Sequence, residues 1–304
     1  MNTPSKTWLR RGLFTLIGLA AAAAATLGLA IASADYKLQR RIELPVAAIG
    51  VPTDAAALER GRYLYLSRGC VDCHGSQGGG RTLINDGKGL HLRGPNIAQG
   101  SPVVAGYRVE DWVRAIRHGI KPDGRPALVM PSEDYNRLSN EDLGALIAHL
   151  RQMPPAEGGP AILELSLPFK AMYGLGLIED AAAKIDHSLP PSPAMASTVS
   201  VANGAYVASM CIGCHGPGYS GGKIPGTPPD WPPASNLTPG PGSAMHDYRS
   251  AEQFAAMMRS GKRPDGSAVS TVMPFTALKE MNDTDLHAVY AFLQTLPAKP
   301  LGQR

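Results

Sequence analysis

Apolar positions recur along this chain at spacings of three and four residues, the period of helices, after an opening stretch that has no period at all. Leu13–Ile31 carries no charge, follows Lys6, Arg10 and Arg11, and runs into Ala32-Ser33-Ala34. Such a run spans about 30 Å of hydrocarbon as a helix and exceeds the roughly 7–15 apolar residues of a cleaved secretion signal. Residues 1–34 therefore read as an export signal kept as an anchor over 13–31, although the small-x-small triplet before Asp35 has the form of a cleavage site. The basic residues ahead of the run keep the start of the chain cytoplasmic and send the rest outward, an asymmetry that Lys37, Arg40 and Arg41 weaken. A polar connector, 35–53, ends at Thr53, a candidate helix cap. From Asp54 to Gly69, Leu58, Gly61, Tyr65 and Leu66 predict a helix. Residues 75–106, rich in Gly, predict loops. Trp112 and Ile116 mark a helix over Val109–His118, and Pro122-Asp123-Gly124-Arg125-Pro126 is a turn. Ser139 and Asp142 resemble a capping box ahead of a helix through Leu143, Ile147 and Leu150, which stops before Pro154-Pro155.

The same order is then met again. Arg117–Gly124 aligns with Arg259–Gly266, Met130-Pro131 with Met273-Pro274, Asn96-Ile97 with Asn236-Leu237, and Asn140–Leu143 with Asp283–Leu286. A repeat of this kind is one architecture used twice. The pattern predicts an all-α chain with two tandem helical units, 54–153 and 200–304, joined by a Pro-rich linker, 154–199. The linker's apolar piece, Leu163–Ile178, is interrupted by Glu164, Pro168 and Lys170 and is too short for a second span. It is expected to lie along the two units and hold them together.

The repeat places one motif in each unit: Cys70-Val71-Asp72-Cys73-His74 and Cys211-Ile212-Gly213-Cys214-His215. Two thiols three residues apart reach the two vinyl groups of one porphyrin, and the next residue aims an imidazole at the iron. Each motif reads as a site of covalent c-type haem attachment. A Cys pair is also half of a zinc site or a thioredoxin-like redox pair, but here each pair is followed by His and Gly, and the two pairs use all 4 cysteines. With 34 Gly, 27 Pro and 6% aromatic residues, neither unit has much apolar side chain of its own, so the haem is expected to form much of each core. A net charge of +4, from 29 basic and 25 acidic residues, gives no argument for nucleic acid.

Met130 follows His74 by 56 residues and Met273 follows His215 by 58. A thioether is a soft neutral ligand that stabilises ferrous iron. The shared place of these two in the repeat, and the stiff Pro after each, set them apart from the other methionines, which read as core filler. His91, His118, His149, His187, His246 and His287 have no matched positions in the two halves and read as surface or satisfied histidines; His118 lies nearest a Met loop.

On these motifs the chain resembles dihaem members of the class I cytochrome c family, over about 54–153 and 200–297. It is similar, more narrowly, to the membrane-anchored cytochrome c subunits of periplasmic dehydrogenases such as quinoprotein alcohol and gluconate dehydrogenases, which typically carry three haems where this sequence has two motifs. The resemblance implies two covalent haem c groups on Cys70, Cys73, Cys211 and Cys214, proximal His74 and His215, and distal Met130 and Met273. It implies an electron-transfer protein rather than an enzyme, on the periplasmic side of the bacterial cytoplasmic membrane. Its partners would be redox proteins: a dehydrogenase or quinol-oxidising complex, and an oxidase or soluble cytochrome. A subunit of a haem-copper oxidase is a second reading. A dihaem peroxidase or thiosulfate-oxidising enzyme is a third, for which no spare Cys and no open sixth position is indicated.

Overall fold

The computed structural model describes residues 6–225, 227 and 230–303, with backbone alone at 6, 7 and 9. Helix α1, Lys6–Gln39, is continuous, and its stretch Arg10–Gln39 is long and apolar enough to cross a membrane. From Arg40 the chain runs extended along the first unit, where the Ile42 N–H donates to Gly124 O at 2.9 Å. The connector is thus an ordered strap.

The first unit is built from α2 (Ala55–Ser67), α3 (Cys70–His74), α4 (Val109–His118) and α5 (Asn140–Gln152). The cap of α2 is Asp54, not Thr53: the Asp54 carboxylate accepts the Ala57 N–H at 2.9 Å. Helices α2 and α5 cross in contact at Gly61, where a Cβ would lie 2.0 Å from Ala145 O. Around the crossing, Leu64, Tyr65, Trp112, Ile116, Leu143 and Ile147 are buried. At the start of α5, Ser139 accepts the Asp142 N–H at 3.1 Å, but the Asp142 side chain is turned to Arg60 and Tyr206, so the capping box is only half made.

The stretch 75–106 is not all loop. Thr82–Asn85 (β1) and His91–Arg93 (β2) pair antiparallel, and Ile162–Glu164 (β3), from the linker, pairs with β2. Asp86 closes the hairpin by accepting the Lys88 and Leu90 N–H groups at 2.7 and 3.0 Å. The chain is mostly helical with this one small sheet.

The rest of the linker departs from expectation as well. Helix α6, Leu167–Gly174, packs on α1, and α7, Ala181–Lys184, packs on the turn Ser132–Asp134 of the first unit. Most of the linker lies along α1 and the first unit, and its end reaches the second unit, where Asn203 Nδ2 donates to Thr198 O at 2.9 Å. The two units also meet directly.

The second unit comprises α8 (Val201–Ala208), α9 (Ile212–His215), α10 (Ala251–Ser260), α11 (Phe275–Leu278) and α12 (Asp283–Gln294). Helices α8 and α12 repeat the glycine crossing, with Gly204 against Ala288 O. Each unit's first helix gives a tyrosine to the aspartate that opens the other unit's last helix. Tyr206 OH donates to Asp142 and Tyr63 OH to Asp285, both at 2.7 Å. Arg68 pairs with the same Asp285 at 2.8 Å, the side chains 5% and 1% exposed. Burial acts against charge there, but the Arg68 cation and the hydrogen bonds hold the Asp285 carboxyl below its ordinary range. One apolar core runs through both units.

Candidate haem sites

Each motif histidine is held in the same way. Helix α3 starts after Gly69, whose φ of +81° is a conformation side chains avoid, and it ends in His74. His74 Nδ1 lies 2.9 Å from Pro95 O. His215, at the end of α9, has Nδ1 2.8 Å from Ser235 O. A carbonyl only accepts, so each Nδ1 carries the proton and each Nε2 is the nitrogen whose lone pair can serve a metal. Burial lowers the His74 pKa and favours this neutral form.

The loops that supply these carbonyls are pinned by the repeated asparagines. Asn96 and Asn236, both buried, donate from Nδ2 to Ala156 O and Lys299 O, each at 2.7 Å. Their Oδ1 atoms accept the Ala98 and Thr238 N–H groups, each at 2.9 Å. The chain that follows each unit's last helix is thereby tied to the loop behind each histidine.

Burial pushes the Cys70 and Cys211 thiols up to about 12 and Cys73 up to about 11. Sulfur held neutral suits a thioether; a thioredoxin-like pair would need a lowered thiol. Among the described residues no three His, Cys, Asp or Glu side chains come together as a ligand set. The donors present fit a covalently attached haem.

A cleft of about 270 Å³ opens between the units. Cys211, Cys214, His215 and Met273 line it from the second unit, Cys73 and Tyr135 from the first. Met273 and His215 therefore face one space. Pro232 and Pro233 form part of its wall, while Pro228 and Pro229 of that Pro-rich stretch lie outside the described residues. Met130 is half-buried against the core that also receives Cys70. The turn that follows it is fixed by Ser132 Oγ donating to Ala115 O at 3.1 Å and Tyr135 OH donating to Arg68 O at 2.8 Å.

Sequence reasoning missed Asp134. Its carboxylate sits against Gly213 inside the second motif, and Oδ1 has no hydrogen-bond partner. Burial and the neighbouring Glu133 push it up to about 7, against the pull of the Gly213 N–H. The pair Glu133-Asp134, shortly after Met130-Pro131, was the only signal available. His118 meets the linker's His187, Nδ1 to Nδ1 at 3.1 Å. His187 Nε2–H donates to Ala182 O at 3.0 Å, so His118 is the donor between the rings. Burial and His187 bring His118 down to about 4, a satisfied histidine.

Two family profiles match the chain: cytochrome c oxidase, cbb3-type, subunit III over residues 56–150, and cytochrome c over 201–297. The chain belongs to the dihaem cytochrome c family. As a member it carries two covalently bound haem c groups. It is similar to the fructose dehydrogenase cytochrome subunit of Gluconobacter japonicus, 26% identical over 82% of this chain and 55% of the relative. It is also similar to the cytochrome c subunit of the quinone alcohol dehydrogenase of Gluconobacter oxydans, 26% identical over 88% of this chain and 61% of the relative. A dihaem c-type cytochrome of Cereibacter sphaeroides is 26% identical over 79% of this chain and 86% of its own length. This dihaem cytochrome thus spans about 55–61% of the length of the two dehydrogenase subunits.

Proposed function

We propose that the chain is a membrane-tethered electron carrier on the periplasmic side of the bacterial cytoplasmic membrane. It takes electrons from a dehydrogenase or quinol-oxidising complex and hands them to an oxidase or soluble cytochrome. In this reading α1 is the anchor. Cys70 and Cys73 hold one haem by thioethers and Cys211 and Cys214 the other; His74 and His215 are the proximal ligands, Met130 and Met273 the sixth. Bound haem supplies one-electron exchange at iron. The chain's part is to hold each imidazole by its Nδ1–H, to offer a neutral thioether opposite, and to exclude water. With both axial positions filled no site is left for a substrate, and partners dock at small, transient interfaces.

The observation that carries the reading is the cleft lined from both units, Cys73 on one side and Cys214, His215 and Met273 on the other. A haem held at Cys73 and one held at Cys211, Cys214 and His215 would border this one cleft, where one-electron exchange between them would need no protein partner in between. The similarity to dehydrogenase cytochrome subunits supports the donor side. A second reading, an electron-transfer subunit of a haem-copper oxidase, has in its favour the profile that matches 56–150.

A redox titration of the purified holoprotein, followed by visible and near-infrared spectra, tests the assignment. The expected result is two high-potential haems, each with the weak near-infrared band of a ferric iron–thioether bond, neither binding carbon monoxide. A haem that lacks the band or binds carbon monoxide would overturn the paired-Met assignment and favour catalysis. Comparing reduction by a membrane dehydrogenase with oxidation by a haem-copper oxidase, in one preparation of membranes, separates the two carrier readings.

A further inference from the structure

Helix α6 belongs to neither haem site, and its contacts lead down α1 toward the bilayer. At the upper end of α1, Arg40 forms a two-bond ion pair with Asp180, at 2.7 and 2.8 Å. Lower down, Lys170 pairs with Asp35 at 2.8 Å, and Lys37 Nζ caps the end of α6 by donating to Tyr173 O and Gly174 O at 3.0 and 3.1 Å. Ser33 Oγ donates to the same Gly174 O at 3.1 Å, and at Ala30 the backbones come so close that a Cβ on Gly174 would lie 1.8 Å from Ala30 O. The C-terminal end of α6 therefore points toward the apolar run of α1.

Two exposed aromatics give the height of that end. Trp8 and Tyr36 are 77% and 75% exposed; at 1.5 Å per residue they stand about 42 Å apart on α1, the thickness of a bilayer with its headgroups. Aromatics of this kind favour the two membrane surfaces. Ala30, and Gly174 with it, then lies about 9 Å on the membrane side of Tyr36. The turn after Gly174 presents Leu175 and Leu177, 57% and 65% exposed. Two leucines held out on a turn that is packed on α1 at Ala30 are covered by no part of the described chain.

We infer that the α6 turn, with Leu175 and Leu177 at its tip, dips into the outer leaflet as a second, shallow membrane contact beside α1. This rests on α1 being a membrane anchor. The Lys37 ammonium reaches down to the turn itself, on the Tyr173 and Gly174 carbonyls, as a lysine does that snorkels toward the headgroups. One spanning helix is a pivot, and a second contact fixes the tilt of the haem units above it.

The test uses the full-length holoprotein in phospholipid nanodiscs. Its native cysteines are held by haem, so a cysteine introduced by Leu177→Cys is the one free thiol for a nitroxide label. With both haems reduced to diamagnetic iron, the ratio of collisions with oxygen to collisions with a water-soluble nickel chelate reports depth. Leu29→Cys reports the anchor, and Val199→Cys, exposed in the linker, reports water. The expected ratio at residue 177 is severalfold above that at 199 and approaches that at 29. A lipid-like ratio at 29 with a water-like ratio at 177 overturns the α6 contact and leaves the anchor standing. A water-like ratio at both removes the anchor and the inference with it. A label at 177 shielded from both reagents overturns the inference in favour of a protein surface, since it would be covered by protein.

Discussion

The turn after each proposed methionine ligand crosses to the opposite unit, and the two crossings carry different chemistry. After Met130-Pro131 the turn Ser132–Asp134 reaches α9 and lays a carboxylate on Gly213. After Met273-Pro274 helix α11 reaches α3, and the position equivalent to Asp134 is Ala277, fully buried. The charge pairs at the two matched aspartates are just as unequal, for Asp285 pairs with Arg68 of the other unit and Asp142 with Arg60 of its own. Asp285 is buried with Arg68, whereas Asp142 and Arg60 keep 13% and 25% exposure. A duplicated fold has kept its geometry and let its electrostatics diverge: the second motif lives beside an acid, and the first lives beside a methyl group.

The largest consequence should be at the ion pairs. Asp285→Ala strands a buried Arg68 and is expected to cost about 3–5 kcal/mol. Asp142→Ala, at a pair that water partly screens, should cost about 1 kcal/mol. Denaturant unfolding followed at the haem absorbance measures both, and equal losses would erase the asymmetry. The glycine crossings should behave oppositely. Gly61→Ala and Gly204→Ala each force a methyl onto a carbonyl and are expected to destabilise by similar amounts, about 3 kcal/mol.

Asp134 gives the comparison a pH dependence. Its folded pKa of about 7 stands above the ordinary value near 4. Between these values the unfolded chain releases the proton while the fold retains it, so this group removes stability as pH rises from about 4 to 7, and the loss is complete above 7. Asp134→Asn should therefore be more stable than the parent at pH 8, by up to about 4 kcal/mol, with the gap closing toward pH 4. Ala277→Asp should import the same pH dependence into the first unit. Thermal unfolding of the three proteins across that range decides it. A local effect is expected at the anchor: Arg40→Ala takes the cation from Asp180, which is 2% exposed and keeps only Tyr173 OH and the Ala183 N–H, and should cost about 2 kcal/mol. It should show as faster amide exchange confined to 167–178.

The helices and the repeat were legible because they rest on local period and on motifs whose spacing is set by the porphyrin. The Trp112 and Ile116 face and the Ser139 cap are such cases. Thr53 and Asp54 are both good caps, and only the backbone chooses between them. The β-ribbon was hidden because β2 finds its outer partner in the linker, far along the chain. Arg68 and Asp285 carry no period, and nothing in one unit's sequence points to the other. Asn96 and Asn236 were visible as a matched pair, but their work, tying the end of each unit to the loop behind its histidine, is a property of the fold.

The strap from Arg40 to Thr53 gives the anchor its mechanical meaning. It is laid along the first unit from the Arg40–Asp180 pair through Ile42 to Gly50, whose carbonyl packs at Gly144. There is no slack in it. With α1 in a bilayer, the molecule would be a fixed mast rather than a ball on a string: its two Cys-His motifs would be held at a set height, and a wide search volume would be given up for a set approach angle. Only partners that present their own redox centre at that height could use it, and lengthening the strap would trade this selection for reach.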